Sequence, residues 1–386
     1  MNALLIQPVK CGSATRRDSQ RGISLIETMI GMTIGILMVL IITQAWGTFE
    51  NQKQTTVSGS ATQANGLLAI TELEQDIRSA GAGLTNAAAF NCTTTYSYYE
   101  TGATSVTPIP AYAGGMSMVP VQITDGGTDS DTLTVKLGAD SLGALPATLT
   151  NSMPQSSSEL NLSSVAGFSD GDVVLAVGAS GQCTVMMVTQ VQGAALKLQH
   201  NPGGSTTYNP TTANQTSWGW PAFVSGDKIM KVGQMIAHQY TVNASNQLVL
   251  TDLTVPSTST TFILATDIVK IKAQYGIANV GSQDVNNWIN ATASTGWNTL
   301  DSAKVKRIKA VRLAIVARSA KREGSDVTGV CTNVSGGVNN GPCVWPDSVA
   351  VPAPLIDLSA NADWKKYRYR VYQTIIPLRN VIWAGV

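Results

Sequence analysis

Glu27 is the residue of this chain whose chemistry folding alone explains least. It is the single charge in the 24 residues from 23 to 46. A carboxylate near the start of an apolar helix in lipid costs a few kcal/mol unless it is paired. Paired with a cation from another chain, the same group would fix how two helices line up in low dielectric. Directly before the run stands Gly22, and before that a polar leader carrying Lys10, Arg16, Arg17 and Arg21 against Asp18. A plain anchor whose Glu27 reaches back to the membrane surface is the competing reading.

Other chemistry-bearing residues are sparse. Asp125, Asp129 and Asp131 put three carboxylates into seven residues. Calcium takes six to eight oxygens, and the Glu that closes a calcium loop at its twelfth position is here Lys136. A polar turn entering a strand is therefore favoured, and no metal is assigned. His200 and His238 are the only histidines, each remote from any Cys or carboxylate cluster with ligand spacing, and both are expected at the surface. Nucleophile elbows, phosphate loops and dinucleotide fingerprints are missing, so the chain is expected to be no enzyme and to need no cofactor. Tyr96, Tyr98, Tyr99, Trp218 and Trp220 are assigned to core packing ahead of a contact surface.

The elements that must position Glu27 begin at Ile23. A 24-residue apolar run spans a bilayer as a helix. The basic residues all precede it, so that side stays cytoplasmic and the body is exported. A secretory signal would end its apolar core in a small-residue cleavage site, whereas here the order is reversed. No proline stands between Pro8 and Pro108, so the helix is expected to continue to residue 79, with Gly81 and Gly83 as its stop. Val57, Ala61, Ala64 and Leu68, then Ile70, Leu73, Ile77 and Ala80, read as one stripe beneath a head. Glu72, Glu74 and Asp76 are expected to face outward. Bending or melting is expected over 59–66, where Gly59 and Gly66 weaken the helix.

Beyond about residue 85, low charge and abundant Thr, Val, Ser and Gly favour short strands. Strands are expected over 132–137, 173–177, 184–191, 195–199, 239–243, 247–251, 267–275, 309–318 and 367–376. In the last, Tyr367, Tyr369 and Val371 share one face and Arg368 and Arg370 the other. Residues 257–261 and 335–341 read as loops. The fold class is α+β: a long N-terminal helix, transmembrane over 23–46, followed by a large β-rich periplasmic head. The domains are 1–22, 23–80 and 81–386.

Loss of residues 1–22 would remove a net +3 from a chain of net +1, together with Cys11. Four cysteines remain, an even number without C-x-x-C spacing. In an oxidising compartment the simplest outcome is two disulfides. Cys331 and Cys343 are close in sequence and pair most easily, and Cys92 with Cys183 follows by elimination. Four reduced buried thiols is the alternative. No basic stripe with interleaved aromatics exists, so no nucleic-acid partner is expected.

Arg21-Gly22-Ile23-Ser24-Leu25-Ile26-Glu27 closely resembles the class III, or type IV prepilin, leader motif. The resemblance implies cleavage after Gly22 by a prepilin peptidase, N-methylation of Ile23, and subunit docking through Glu27. Asp76-Ile77-Arg78-Ser79-Ala80-Gly81 looks like the close of the long helix in PilW-type minor pilins. Similar stretches are Phe168 to Leu175 followed by Cys183, Ile268 to Gly276, Ala310 to Ser319, and Tyr372 to Asn380 with its Leu-Arg-Asn. What this implies is a minor pilin that docks into type IV pili and primes their assembly at or near the filament tip. Its partners would be other minor pilins, the major pilin and the inner-membrane assembly platform. Its location would be the bacterial inner membrane, then the pilus. A minor pseudopilin of type II secretion, which typically lacks the Glu, and a tip adhesin are the rival readings.

Overall fold

The computed structural model describes residues 22–383 except 85–86, 93, 98–108, 111–117, 139–144, 154–158, 204–207, 218, 234, 255–258 and 347–352. The basic leader with Cys11 lies outside the described residues, as do Tyr98, Tyr99 and Trp218.

Helix α1 covers Leu25–Ser79, 55 residues. The chain forms two compact units that part between Thr56 and Val57. In the first unit every described side chain from Gly22 to Phe49 is exposed. In the second, Thr62, Gly66, Ala69, Ile70, Leu73 and Ile77 form a buried stripe at helical spacing. Gly81 (φ +74°) and Gly83 (φ +80°) then take left-handed conformations that only glycine adopts without cost, and the helix ends there.

Among the described residues the strands of the head pair antiparallel, apart from Thr94–Ser97, which runs parallel to Gln182–Met187, and an isolated parallel bridge joins Asn340 to Asp357. A six-stranded sheet centres on Val173–Val177 and Gln182–Met187. A five-stranded sheet runs Thr260–Thr266, Gln247–Asp252, Met235–Val242, Thr132–Gly138, Val121–Thr124. A four-stranded sheet runs Val285–Ile289, Ile268–Ala278, Ile308–Arg318, Tyr369–Pro377. Three- and two-stranded sheets complete it.

Period-two alternation decides which core each residue enters. Val173, Leu175 and Val177 face the main core that also receives α1, while Val174 and Ala176 face a second core with Phe168, Leu198 and Trp220. Val311, Leu313, Ile315 and Ala317 likewise enter the main core, and Ala314 and Val316 point outward. That outward face is covered by Val344, Trp345, Ala353, Ile356, Leu358 and Trp364 from the long excursion between the last two long strands. Both strands are buried on two sides and so read as continuous apolar runs. The architecture is α+β, a long N-terminal apolar helix followed by a large β-rich head.

Expected element bounds need adjustment in places. The 184–191 strand is two pieces, Gln182–Met187 and Gln190–Gln192. Thr260 and Thr261, read as loop, open the edge strand Thr260–Thr266. Asp267 leaves extended structure altogether (φ 59°), which turns the chain from one sheet into the next. The helix shows no melting at 59–66 and continues through both glycines.

Candidate docking helix and its seat on the head

The N-terminal end of α1 is open on all sides. Gly22, Ile23 and Ser24 precede the helix, and Ser24 O receives the N–H of Glu27 at 3.0 Å and of Thr28 at 3.2 Å. Glu27 therefore sits in the first turn, where the unpaired N–H groups favour a negative side chain. It has no ion-pair partner among the described residues. Among those residues α1 is the one helix long and apolar enough to cross a membrane, consistent with single-pass anchoring. Its exposure follows from composition: an apolar face with nothing to pack on must find lipid or another protein.

From Ser58 onward the helix is seated on the head by contacts spaced along its length to Ser79. Thr62 Oγ1 bonds back to Ser58 O (2.8 Å) and reaches Arg318 O (3.4 Å), and Lys321 N donates to Ser58 Oγ (3.1 Å). Arg370 Nη1 donates to Gln63 Oε1 (3.0 Å), and Asn65 Nδ2 to Thr266 Oγ1 (3.0 Å). At Gly66 the Tyr372 ring lies so close to the helix backbone that a Cβ would overlap it. The glycine expected to soften the helix instead permits close approach. Arg370 and Tyr372 both meet α1, whereas Tyr369 and Val371 pack into the outer cluster.

Below this, Ala69, Ile70, Leu73, Ile77 and Ala80 enter the main core. Val57, Ala61, Ala64 and Leu68 do not join them. They lie on the exposed side, so the single expected stripe is two, on different faces. Asp76 departs from expectation too, since it turns toward the head. Its Oδ2 accepts from His238 Nδ1 and from Tyr240 Oη, each at 2.5 Å. That hydrogen bond holds the His238 pKa above its ordinary value, against the opposing effect of burial. Desolvation first, then the bond to Asp76, pushes the Tyr240 hydroxyl upward as well. The helix end is closed by Asn380, whose Nδ2 donates to Ser79 O (3.2 Å) and Ala80 O (3.1 Å), while Gly81 N donates to Lys136 O (2.8 Å). Asn380 thereby adds a donor to two carbonyls at the helix terminus, which stabilises that end.

Neither histidine is a plain surface residue. His238 is half-buried in the seat. His200 is 2% exposed, and burial pushes its pKa down to about 4. Trp220 is buried and Tyr96 partly so.

The acidic loop at 125–131 already contains a cation. Lys272 Nζ donates to Gly127 O (2.7 Å) and Asp131 Oδ1 (2.8 Å). Asp131 also accepts Gly126 N (3.0 Å) and Ala273 N (2.9 Å). Burial pushes the Asp131 carboxyl up, against the pull of Lys272 and those two N–H groups. Lys270 Nζ meets Asp129 at 2.9 Å and lowers its pKa. Two ammonium groups are thus paired with two of the three carboxylates of the loop. No cluster of three or more His, Cys, Asp or Glu side chains suited to a metal occurs among the described residues.

Cys92 is bonded to Cys183 and Cys331 to Cys343, both with Cα atoms 5.6 Å apart. The first bond is in the main core. The second staples a loop organised by buried Asn339, whose Nδ2 donates to Cys331 O (3.1 Å) and whose Oδ1 accepts Ile356 N (2.6 Å).

Sequence reading missed Asp76, His238, Tyr240, Tyr372 and Asn380 as seat residues. For Asp76 a signal existed: it lies beside Ile77 and one turn beyond Leu73, on the flank of the buried stripe. The others are brought to the helix from up to 310 residues away, which local pattern does not encode.

Residues 236–380 match the family model described as Type IV Pilus-assembly protein W. No curated protein and no solved structure matches the chain. The matched span carries the head side of the seat, from His238 to Asn380, together with the Cys331–Cys343 loop. This likeness supports a type IV pilus-related protein that takes part in pilus assembly.

Proposed function

We propose that the chain is a minor pilin that docks into type IV pili and helps prime their assembly at the filament tip. The observation that carries this is the division of α1. Residues 23–46 are exposed and uncharged except for Glu27, while the helix from Ser58 onward is seated on a β-rich head. In this reading residues 1–22 are a leader, 23–80 the helix and 81–386 the periplasmic head. A prepilin peptidase cuts between Gly22 and Ile23, Ile23 is N-methylated, and its cationic amine is neutralised by Glu27 of a neighbouring subunit in the apolar bundle. The neighbours are other minor pilins and the major pilin, gathered on the inner-membrane platform. A head of about 300 residues is bulky for repeated packing along a thin fibre, which favours the tip.

Mass spectrometry of the mature N-terminus tests the processing step: a chain beginning at methylated Ile23 is expected, and cleavage elsewhere overturns it. Glu27→Ala is expected to be cleaved normally yet to join the assembly poorly. Deletion is expected to remove surface pili and twitching. Intact pili with lost protein secretion would identify a pseudopilin, and normal pilus number with lost attachment an adhesin. Tagged protein spread evenly along sheared pili would sink the tip assignment.

A further inference from the structure

We propose that the seat of α1 is a pH-responsive clasp, in which Asp76 on the helix and His238 on the strand Met235–Val242 hold helix to head tightly when the imidazole is charged and less tightly when it is neutral. The argument begins with geometry. One carboxylate oxygen of Asp76 takes both His238 Nδ1 and Tyr240 Oη at 2.5 Å. An ionised carboxylate only accepts, so Nδ1 carries the proton and Nε2 is the atom that gains or loses one. With Asp76 22% and His238 23% exposed at the side chain, protons exchange with solvent while the pair stays partly desolvated.

The charged neighbours favour the imidazolium, against the opposing effect of burial. Asp252 lies directly opposite His238 on the neighbouring strand Gln247–Asp252. Glu72, one turn before Asp76, acts on Tyr240. On the other side the strand partner is apolar Val135. Among the described residues no lysine or arginine is bonded to Asp76, His238 or Tyr240. Two carboxylates, Asp76 and Asp252, therefore act on one imidazole, and its folded pKa is raised above the ordinary histidine value. The sign follows: the charged clasp contributes fully below the ordinary histidine range and fades as pH rises through the raised folded value. The Tyr240 hydroxyl stays protonated throughout that range, so Asp76 keeps one donor and the clasp loosens without opening. His200, held down to about 4, does not titrate in the same window; buried Lys136 on the neighbouring strand, pushed down to about 8 by desolvation, does, and the His238→Gln variant separates the two.

The test uses the full-length chain in detergent micelles. Histidine side-chain NMR is expected to give a His238 midpoint above 6.5, moving back toward 6.5 in Asp76→Asn. Amide exchange over residues 69–80, corrected for the intrinsic pH dependence of exchange, is expected to lose protection by about threefold or more between pH 6 and pH 8.5. In His238→Gln, which keeps a donor without a titration, that protection is expected to be flat. A wild-type midpoint at or below 6.5 overturns the proposal without any variant. The same pH-dependent loss in His238→Gln also overturns it.

Discussion

Two carboxylates of this molecule meet cations in opposite ways. Asp131 and Lys272 are 1% and 0% exposed, and their pair is held by Gly126 N and Ala273 N on the carboxylate and by Gly127 O on the ammonium. Asp76 and His238 form a single pair at the edge of the core, each side chain a little over one-fifth exposed. The first cation is a lysine, and the second is a histidine, the side chain whose ordinary pKa lies closest to neutral pH. Complete burial makes the first pair a fixed joint between the loop at 125–131 and the strand Ile268–Ala278. Partial burial makes the second adjustable, because solvent supplies and removes its proton.

The comparison breaks most readily at its buried end. Lys272→Met leaves Asp131 without its cation, and chemical denaturation is expected to show a loss of about 3–5 kcal/mol. Adding Asp131→Leu is expected to restore much of it, since both charges are then gone. Gly66→Ala probes the upper part of the seat, where Tyr372 covers the helix backbone. It is expected to cost about 1–3 kcal/mol by overpacking, and to do so at every pH. Asp76→Ala is expected to cost about 1–2 kcal/mol at pH 6 and less at pH 8.5, which separates the clasp from the packing beside it. Smallest is Lys197→Ala, which removes the 2.8 Å pair with Glu159 on the rim of the three-stranded sheet. Both partners are about a third exposed, and the expected change is the smallest of the set and shrinks in high salt.

The long strands were legible because burial on two sides writes an uninterrupted apolar run, as in Val173–Val177. The edge strand Thr260–Thr266 was not, since Thr, Phe and Ile at a half-exposed edge carry no clear alternation and follow a Ser/Thr-rich loop. Likewise the alternation of Tyr367, Tyr369 and Val371 with Arg368 and Arg370 was visible, but not that Arg370 and, two residues on, Tyr372 would meet α1. Glycine illustrates the same limit. Propensity marks Gly66 as a weak point in a helix, yet here the missing side chain is what lets an aromatic ring reach the backbone.

The sequence by itself determined the apolar helix, its lone Glu27, its glycine stop and the β-rich body, because composition and period act within a few residues. Only tertiary structure decided which face of α1 is seated, that Asp76 turns inward, and that Lys272 occupies the acidic loop. Those outcomes depend on side chains brought together from 141 to 310 positions apart. No local pattern carries that information, because the contact exists only once the sheets have formed.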